Sequence, residues 1–290
     1  MKFQRNVTIA LFLWTALGAG CAPSRPAPEA LPLTEAHQRL ITLCRDEFKA
    51  AVKIFPLSHT VYVYLPLENS FLDIKATEKK PVTADTPSVR QAIRYLDVSS
   101  RENAFHVVYD IGVMKSYPQD LGYASAFSEE YLEQQRNVLT AIHRVYADAA
   151  DPPDFFVVVI TDTVKGLESR TIINSGDLRR AFTDQFFQEE YVKRVMVENP
   201  VGNKEIIGDK EGKYLTLKEL TWPDFLARQI AYRIRFLYER SSFPPSEDTL
   251  KELTLIIKET IDAYQYAQFE AAHLHNLEND KVLIIPRGEL

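Results

Sequence analysis

The sequence is poor in the residues from which common catalytic motifs are built. Its 290 residues include two cysteines, ten glycines and six histidines. It contains no Gly-x-Ser-x-Gly elbow, no His-Glu-x-x-His helix, no phosphate-binding loop and no glycine fingerprint for a dinucleotide. These absences favour a protein that is not an enzyme, and we expect no cofactor.

Runs of Lys or Arg are also missing. The chain carries 34 basic and 40 acidic residues, for a net charge of −6. Nucleic acids and anionic lipid surfaces attract clustered positive charge, so this composition argues against nucleic acid as a partner and against a basic lipid-binding face.

Large apolar residues, by contrast, are plentiful. Hydrophobic residues make up 46% of the chain, including 16 Phe and 14 Tyr, which is enough to form a packed core.

The chain begins with a pattern typical of an export signal. Lys2 and Arg5 precede an apolar run over residues 7–17, which is too short to span a bilayer but has the length of a signal-peptide core. Residues 18–21, Gly-Ala-Gly-Cys, follow this run. The stretch resembles a lipobox, the family signature of bacterial lipoproteins. It departs from the usual pattern at Gly18, where Leu is the commonest residue.

The resemblance implies a specific chemical role for Cys21. In that family the cysteine thiol is diacylglycerated, the preceding peptide bond is cut, and the new amino terminus is usually acylated, with palmitate as the expected chain. Cys21 is therefore the predicted lipid-attachment residue, and cleavage is predicted between Gly20 and Cys21. The alternatives are an ordinary secretory leader cleaved near Ala19 or Ala22, and a cytosolic protein that starts with an apolar helix.

A proline-rich segment follows the expected signal peptide of residues 1–20. Four prolines between residues 21 and 33 favour an extended tether that holds the body away from the membrane. Ala22 stands where Asp would favour retention in the inner membrane of enteric bacteria. We therefore expect the outer membrane, with the body facing the periplasm, and keep the inner membrane as the alternative.

The second cysteine has no partner if Cys21 carries lipid. Cys44 lies one helical turn from both Leu40 and Phe48, on the apolar side of a predicted helix. This position predicts a buried, unreactive thiol rather than a reactive one.

Residues 34–290 are predicted to form one α+β domain, with a possible sub-boundary near 200–216. Apolar spacings of three and four predict helices at 34–53, 88–96, 128–146, 177–187, 221–238 and 246–274. Runs of β-branched and aromatic residues predict strands at 61–65, 70–74, 104–109, 155–160, 171–173, 205–207, 213–215 and 281–286. We expect a small mixed β-sheet packed with amphipathic helices, closed by a long antiparallel hairpin of the last two helices.

Several finer features follow from these assignments. Residues 70–74 are expected to pair with 61–65, and residues 205–207 with 213–215, each as a hairpin. The continuous apolar run at 155–160 predicts a central strand that is covered on both faces. Ser128 is predicted to cap the helix that follows it.

The best candidate for a metal site is acidic. Asp110 and Asp162 each follow a hydrophobic strand, and Thr161, Glu168 and Asp177 lie close to Asp162 in sequence. If the two strands are parallel neighbours, the two carboxylates could hold Mg²⁺ or Ca²⁺ in one crevice. The alternative is that Asp ends these strands because it starts turns.

The histidines do not suggest a metal centre by themselves. His273 and His275 fall in a predicted helix, where residues two apart point to different sides. His106 alternates with apolar residues of a predicted strand, which is typical of an exposed or hydrogen-bonded histidine.

Aromatic residues are frequent near the last two helices. We expect Tyr238, Tyr264 and Phe269 to pack in the core, whereas Tyr232 and Tyr266 could form a contact surface for a partner.

These observations favour a membrane-anchored lipoprotein whose body binds another envelope component, most simply an envelope protein, without catalysis. The alternative is an envelope hydrolase with an acidic metal site around Asp110 and Asp162. A solute-binding lipoprotein is the third possibility, but the sequence has no two-lobed repeat of βα units that would form its cleft.

Overall fold

The computed structural model describes residues 32–76, 88–116, 123–147, 149, 151–183, 188–239 and 248–290. These described residues belong to one compact unit. Its helices are α1 (Leu33–Phe48), α2 (Glu129–Tyr146), α3 (Ser175–Phe182), α4 (Gln188–Arg194), α5 (Trp222–Glu239) and α6 (Thr249–Tyr264). Its strands are β1 (Lys53–Leu57), β2 (Thr60–Leu67), β3 (Leu72–Ala76), β4 (Ser88–Arg101), β5 (Ala104–Ser116), β6 (Tyr123–Phe127), β7 (Phe155–Asp162), β8 (Leu167–Asn174), β9 (Met196–Gly202), β10 (Ala271–Asn276) and β11 (Lys281–Pro286).

The largest sheet has five strands in the order β1-β2-β7-β8-β9. Only β2 and β7 run parallel, and the other neighbouring pairs are antiparallel. Strand β7 lies in the middle, and all eight of its residues are buried. The apolar run of this strand therefore predicted both its type and its central place, because a strand covered on both faces has no polar side to alternate with.

A second sheet has four strands in the order β11-β10-β5-β4, and β3 pairs with β6 separately. Strands β10 and β5 run parallel, whereas β4 and β11 are antiparallel to their neighbours. Helices and mixed sheets thus coexist without a regular βα alternation, and the α+β prediction is confirmed.

Two apolar cores cover the two faces of the five-stranded sheet. One contains Leu40 of α1 and Val138 of α2 against Val158 of β7. The other contains Val157 of β7 together with α5, α6 and one face of the four-stranded sheet, including Val107. Successive residues of β7 serve different cores because side chains alternate across a strand.

Helix ends follow local side-chain chemistry. The Ser128 side chain accepts a hydrogen bond from the Tyr131 backbone N–H at 3.2 Å, so the predicted cap of α2 is confirmed. Helix α1 ends at Phe48 because Lys49 takes a left-handed conformation, with φ at 54°. The residues after it form β1, which the sequence did not predict.

The helix predicted at 88–96 is wrong, since this segment belongs to β4. Strand β4 pairs with β5 and has a bulge between Ile93 and Tyr95. A bulge inserts one extra residue, so Ile93 and Leu96, three apart, both pack against the same core. In the sequence, this three-residue spacing of apolar side chains is the same as that on one face of a helix, which explains the wrong prediction.

Two predicted hairpins are also wrong. The strand near 70–74 is β3, which pairs with β6, because both edges of β2 are already occupied by β1 and β7. In the segment 205–215, the Asp209 carboxylate accepts backbone hydrogen bonds from Glu211, Gly212 and Tyr214 at 2.9–3.2 Å. This local capping replaces the strand pairing that the hairpin would need.

The last predicted helix is shorter than expected. Helix α6 ends at Tyr264, where Gln265 takes a left-handed conformation, and residues 271–276 form β10 instead. Helices α5 and α6 pack against each other. Residues 240–247 between them lie outside the described residues, so their antiparallel hairpin stays a prediction.

Candidate functional site

Asp110 and Asp162 are not brought together by the strands that carry them. Asp110 lies within β5 rather than at its end, and its Oδ1 is 2.9 Å from Arg94 Nη2. Asp162 is the last residue of β7. Because β5 and β7 belong to different sheets, the parallel neighbours that the metal-site hypothesis requires do not exist.

Asp162 instead stabilises the turn that follows it. Its buried Oδ1 accepts backbone hydrogen bonds from Val164 at 2.9 Å and Lys165 at 2.8 Å. Its Oδ2 is buried and has no hydrogen-bond partner. The interpretation of Asp as a turn-forming residue therefore fits this position.

The other acids near Asp162 in sequence are also engaged. Glu168 forms an ion pair with Arg170, and Asp177 forms one with Arg194. Within the described part of the chain, no group of three or more His, Cys, Asp or Glu side chains could hold a metal ion.

Gly20 and Cys21, the predicted cleavage and lipid-attachment residues, lie outside the described residues. Cys44 is fully buried on α1, as predicted. Burial raises the pKa of its thiol to about 12, so the thiolate required for reactivity does not form at neutral pH.

A mostly buried cluster of charged residues joins four helices. Asp177 of α3 accepts hydrogen bonds from Arg194 Nη1 of α4 at 2.9 Å and from the Tyr264 hydroxyl of α6 at 2.6 Å. Glu190 of α4 accepts from Arg194 Nε at 2.6 Å and from Arg233 Nη2 of α5 at 3.2 Å. The more exposed Arg180 also lies 4.0 Å from Asp177 Oδ1. Each acid therefore has arginine partners, and the cluster is suited to holding the helices together.

The cluster shifts the pKa values of its members in opposite directions. Burial alone would raise the pKa of Glu190, but the hydrogen bond from Arg194 and the charge of Arg233 outweigh it and lower that pKa. Burial raises the pKa of Tyr264, and the neighbouring charge of Asp177 raises it further. At neutral pH the carboxylate is therefore charged and the phenol is neutral.

A groove of about 210 Å³ lies beside this cluster, where α4, α5 and α6 meet. Its lining consists of Glu189 and Lys193 from α4, Arg233, Phe236 and Leu237 from α5, and Glu252, Leu255, Ile256 and Glu259 from α6. Four of the nine lining side chains are apolar, and one of them, Leu255, is 46% exposed. Arg233 is 7% exposed, and its Nε has no hydrogen-bond partner. The groove thus offers an apolar contact area together with charged side chains, three of which are acidic.

A second cleft, of about 270 Å³, lies over the five-stranded sheet. Tyr62, Val157 and Ile172 form its floor, side by side on β2, β7 and β8. Its three cations are already engaged in ion pairs, namely Arg170 with Glu168, Lys218 with Asp224 at 3.3 Å, and Arg228 with Glu198 at 2.5 Å. Because these charges are neutralised within the protein, the cleft has less to offer a ligand than the groove.

Most of these aromatic residues lie in or against the core. Tyr238 and Phe269 are core residues, as predicted, and Tyr264 packs against the same core. Tyr232 and Tyr266 are only partly buried there, so a partner surface at these two residues stays a prediction. Tyr266 packs on Phe269, with ring centroids 6.4 Å apart.

The histidines also differ from their predicted placement. His273 and His275 lie on β10 and not on a helix, so residues two apart share one face. His106 of β5 lies opposite His273. The alternation of polar and apolar residues in β10 indicated a strand. However, its apolar residues also continued the three- and four-residue spacing of helix α6, which led to the helix prediction.

Similarity to known proteins does not assign a role to any of these surfaces. Comparison with protein-family models, with curated proteins and with solved structures finds no match to this chain. The choice among the surfaces therefore rests on their geometry. The groove of α4, α5 and α6 combines an exposed leucine and half-buried apolar side chains with charges that are not all matched by a neighbour, which is the usual composition of a binding site.

Proposed function

We propose that this protein is a membrane-anchored lipoprotein whose periplasmic body binds another envelope component, most simply an envelope protein, without catalysing a reaction. The observation that carries the proposal is the groove of α4, α5 and α6. Exposed apolar side chains are typical of the centre of protein interfaces, especially where charged residues surround them. Leu255 is the most accessible apolar side chain of the groove.

The charges of the groove indicate the chemistry of its occupant. Glu189, Glu252 and Glu259 lie at the groove, against the cations Lys193 and Arg233. Arg233 is already paired with Glu190, so the charge left for a ligand is acidic. The best fit is a segment that carries apolar side chains flanked by Lys or Arg, because complementary charge favours both encounter and correct register.

The anchor is proposed from the sequence. Two or three acyl chains on Cys21 would each bury many methylenes at about 0.8 kcal/mol apiece, which is enough for stable attachment without a spanning helix. Among the described residues, no helix combines the length and apolar character needed to cross a bilayer. The outer membrane stays the favoured location and the inner membrane the alternative.

The groove can be tested by site-specific photo-crosslinking of the full chain in its own envelope. A photoreactive residue at position 255 should give a crosslinked peptide in which apolar residues are flanked by Lys or Arg. Position 132 is the matched control, since Leu132 is a 50% exposed leucine on α2. Crosslinks that are equal at both positions, or a crosslinked peptide rich in acidic residues, would contradict the proposal.

The charge argument has its own variant. Glu252→Lys with Glu259→Lys should lower the yield of the position-255 crosslink by about tenfold at low salt, and less at high salt, because surface charges are screened. A yield that is unchanged at every salt concentration would exclude a basic partner.

The anchor is tested independently of the groove. Cys21→Ser should abolish acyl labelling and release the protein in soluble form. A Cys21→Ser protein that stays in the membrane fraction would mean that the leader itself serves as the anchor.

A further inference from the structure

Two histidines face each other on neighbouring strands of the four-stranded sheet. His106 of β5 lies directly opposite His273 of β10 in the parallel register. Their ring centroids are 4.5 Å apart, and the ring planes meet at 66°. Among the described residues, no other two histidine rings lie in such contact.

Both side chains lie on the face of the sheet that turns away from the core. Their strand neighbours Phe105 and Val107 are buried in the apolar core, so His106 points the other way. His106 and His273 are each partly exposed. In the same row, Ser99 of β4 and Ile284 of β11 lie on either side of the pair.

The ring spacing matches the geometry of a shared metal ion. Imidazole nitrogen binds transition metals at about 2.0–2.1 Å, which puts the ring centroid about 3.2 Å from the ion. If the two metal–nitrogen bonds meet at a right angle, the two ring centroids lie about 4.5 Å apart. Adjacent positions at right angles are those of tetragonal Cu²⁺ or Ni²⁺.

We propose that His106 and His273 together bind one divalent transition-metal ion, with Cu²⁺ the preferred ion. Copper ranks highest among the divalent first-row metals for nitrogen ligands. The remaining coordination positions are open to water or to a ligand from outside the chain, because the described residues offer no third His, Cys, Asp or Glu that completes a group. The site is independent of the groove and of the function proposed for it.

His275 is not part of this site although it shares the face. Its Nε2 lies 2.8 Å from Asp280 Oδ1, so that nitrogen is already engaged. Among the described residues, His275 does not complete a group of three ligands with the pair. The proposed site is therefore limited to His106 and His273.

The site can be tested by Cu²⁺ titration of the full chain carrying Cys21→Ser, purified without a histidine tag. Electron paramagnetic resonance should show two nitrogen ligands at the first equivalent. Loss of a partner outside the first coordination sphere already costs about 10- to 100-fold in affinity, so His106→Ala and His273→Ala should each weaken binding at least about 100-fold. His59→Ala is the matched control, since His59 is an exposed histidine that contributes nothing to the pair.

Retained affinity in either variant, or an equal loss in His59→Ala, would overturn the proposal.

A second measurement does not depend on the variants folding. In the unmutated chain, less than one equivalent of Cu²⁺ should broaden the ring signals of His106 and His273 in nuclear magnetic resonance spectra before those of other histidines. Broadening that begins at a different histidine would show that the two rings only pack against each other and do not bind the metal.

Discussion

The pairing of Arg194 with Asp177 predicts a large loss of stability when the arginine is removed. In Arg194→Met the Asp177 carboxylate, 2% exposed, would lose its closest cationic partner. Breaking a buried ion pair from one side costs about 3–5 kcal/mol, because the remaining charge stays desolvated. The Tyr264 hydroxyl still donates to Asp177, at 2.6 Å, which places our expectation near the lower end, at about 3 kcal/mol.

Urea unfolding followed by circular dichroism measures this loss. Arg228→Met is the matched control, because the Arg228–Glu198 pair has a 2.5 Å contact but both side chains are more than 40% exposed. An exposed pair contributes at most about 1 kcal/mol. In the double variant Asp177→Asn, Arg194→Met, no buried charge is left unpaired, so we expect it to recover at least about 1 kcal/mol. If Arg194→Met costs no more than Arg228→Met, the cluster is solvated and the reasoning fails.

Three further predictions follow from single side chains. The pKa of Tyr264 lies above its ordinary 10.0 through burial and the charge of Asp177, so the folded protein keeps a proton that the unfolded chain loses. The free energy of unfolding should therefore fall as the pH rises above 10. In urea unfolding, Tyr264→Phe should reduce the slope of this fall by about 1.4 kcal/mol per pH unit. An unchanged slope would contradict this reasoning. Cys44, with its pKa raised to about 12, should react with a thiol reagent only after unfolding, and rapid labelling of the native protein would show that it is accessible. Ser128→Ala removes the cap bond to the Tyr131 N–H and should cost about 1 kcal/mol, measured as a lower Tm, so an unchanged Tm would mean that water replaces the cap.

Elements with a strong local signal were predicted correctly. Helix α2 combines a serine cap with a regular apolar stripe, and β7 is a continuous apolar run. Strands β2 and β11 were likewise recognised from their β-branched and aromatic residues. In each case the information lies within one short segment, so no distant part of the chain is needed to choose the conformation.

Elements that depend on a distant partner were predicted poorly. Strand β4 is stabilised along its length by β5, and its bulge near Arg94 gave the apolar residues a helical spacing. Strand β10 owes its conformation to parallel pairing with β5, which lies far away in sequence. Tertiary pairing overrides weak local preference in such segments.

The candidate sites divide in the same way. The lipid-anchor prediction at Cys21 comes wholly from the sequence, because a signal peptide is recognised as a linear pattern. The groove at Leu255, the buried pair of Asp177 and Arg194, and the facing histidines could not be foreseen, since each joins side chains from separate elements.

The sequence by itself determined the α+β class, the central strand β7 and the buried state of Cys44, because local apolar patterning is sufficient for each. Tertiary structure alone decided that Asp110 and Asp162 belong to different sheets and that His106 meets His273, because strand order is set by long-range pairing.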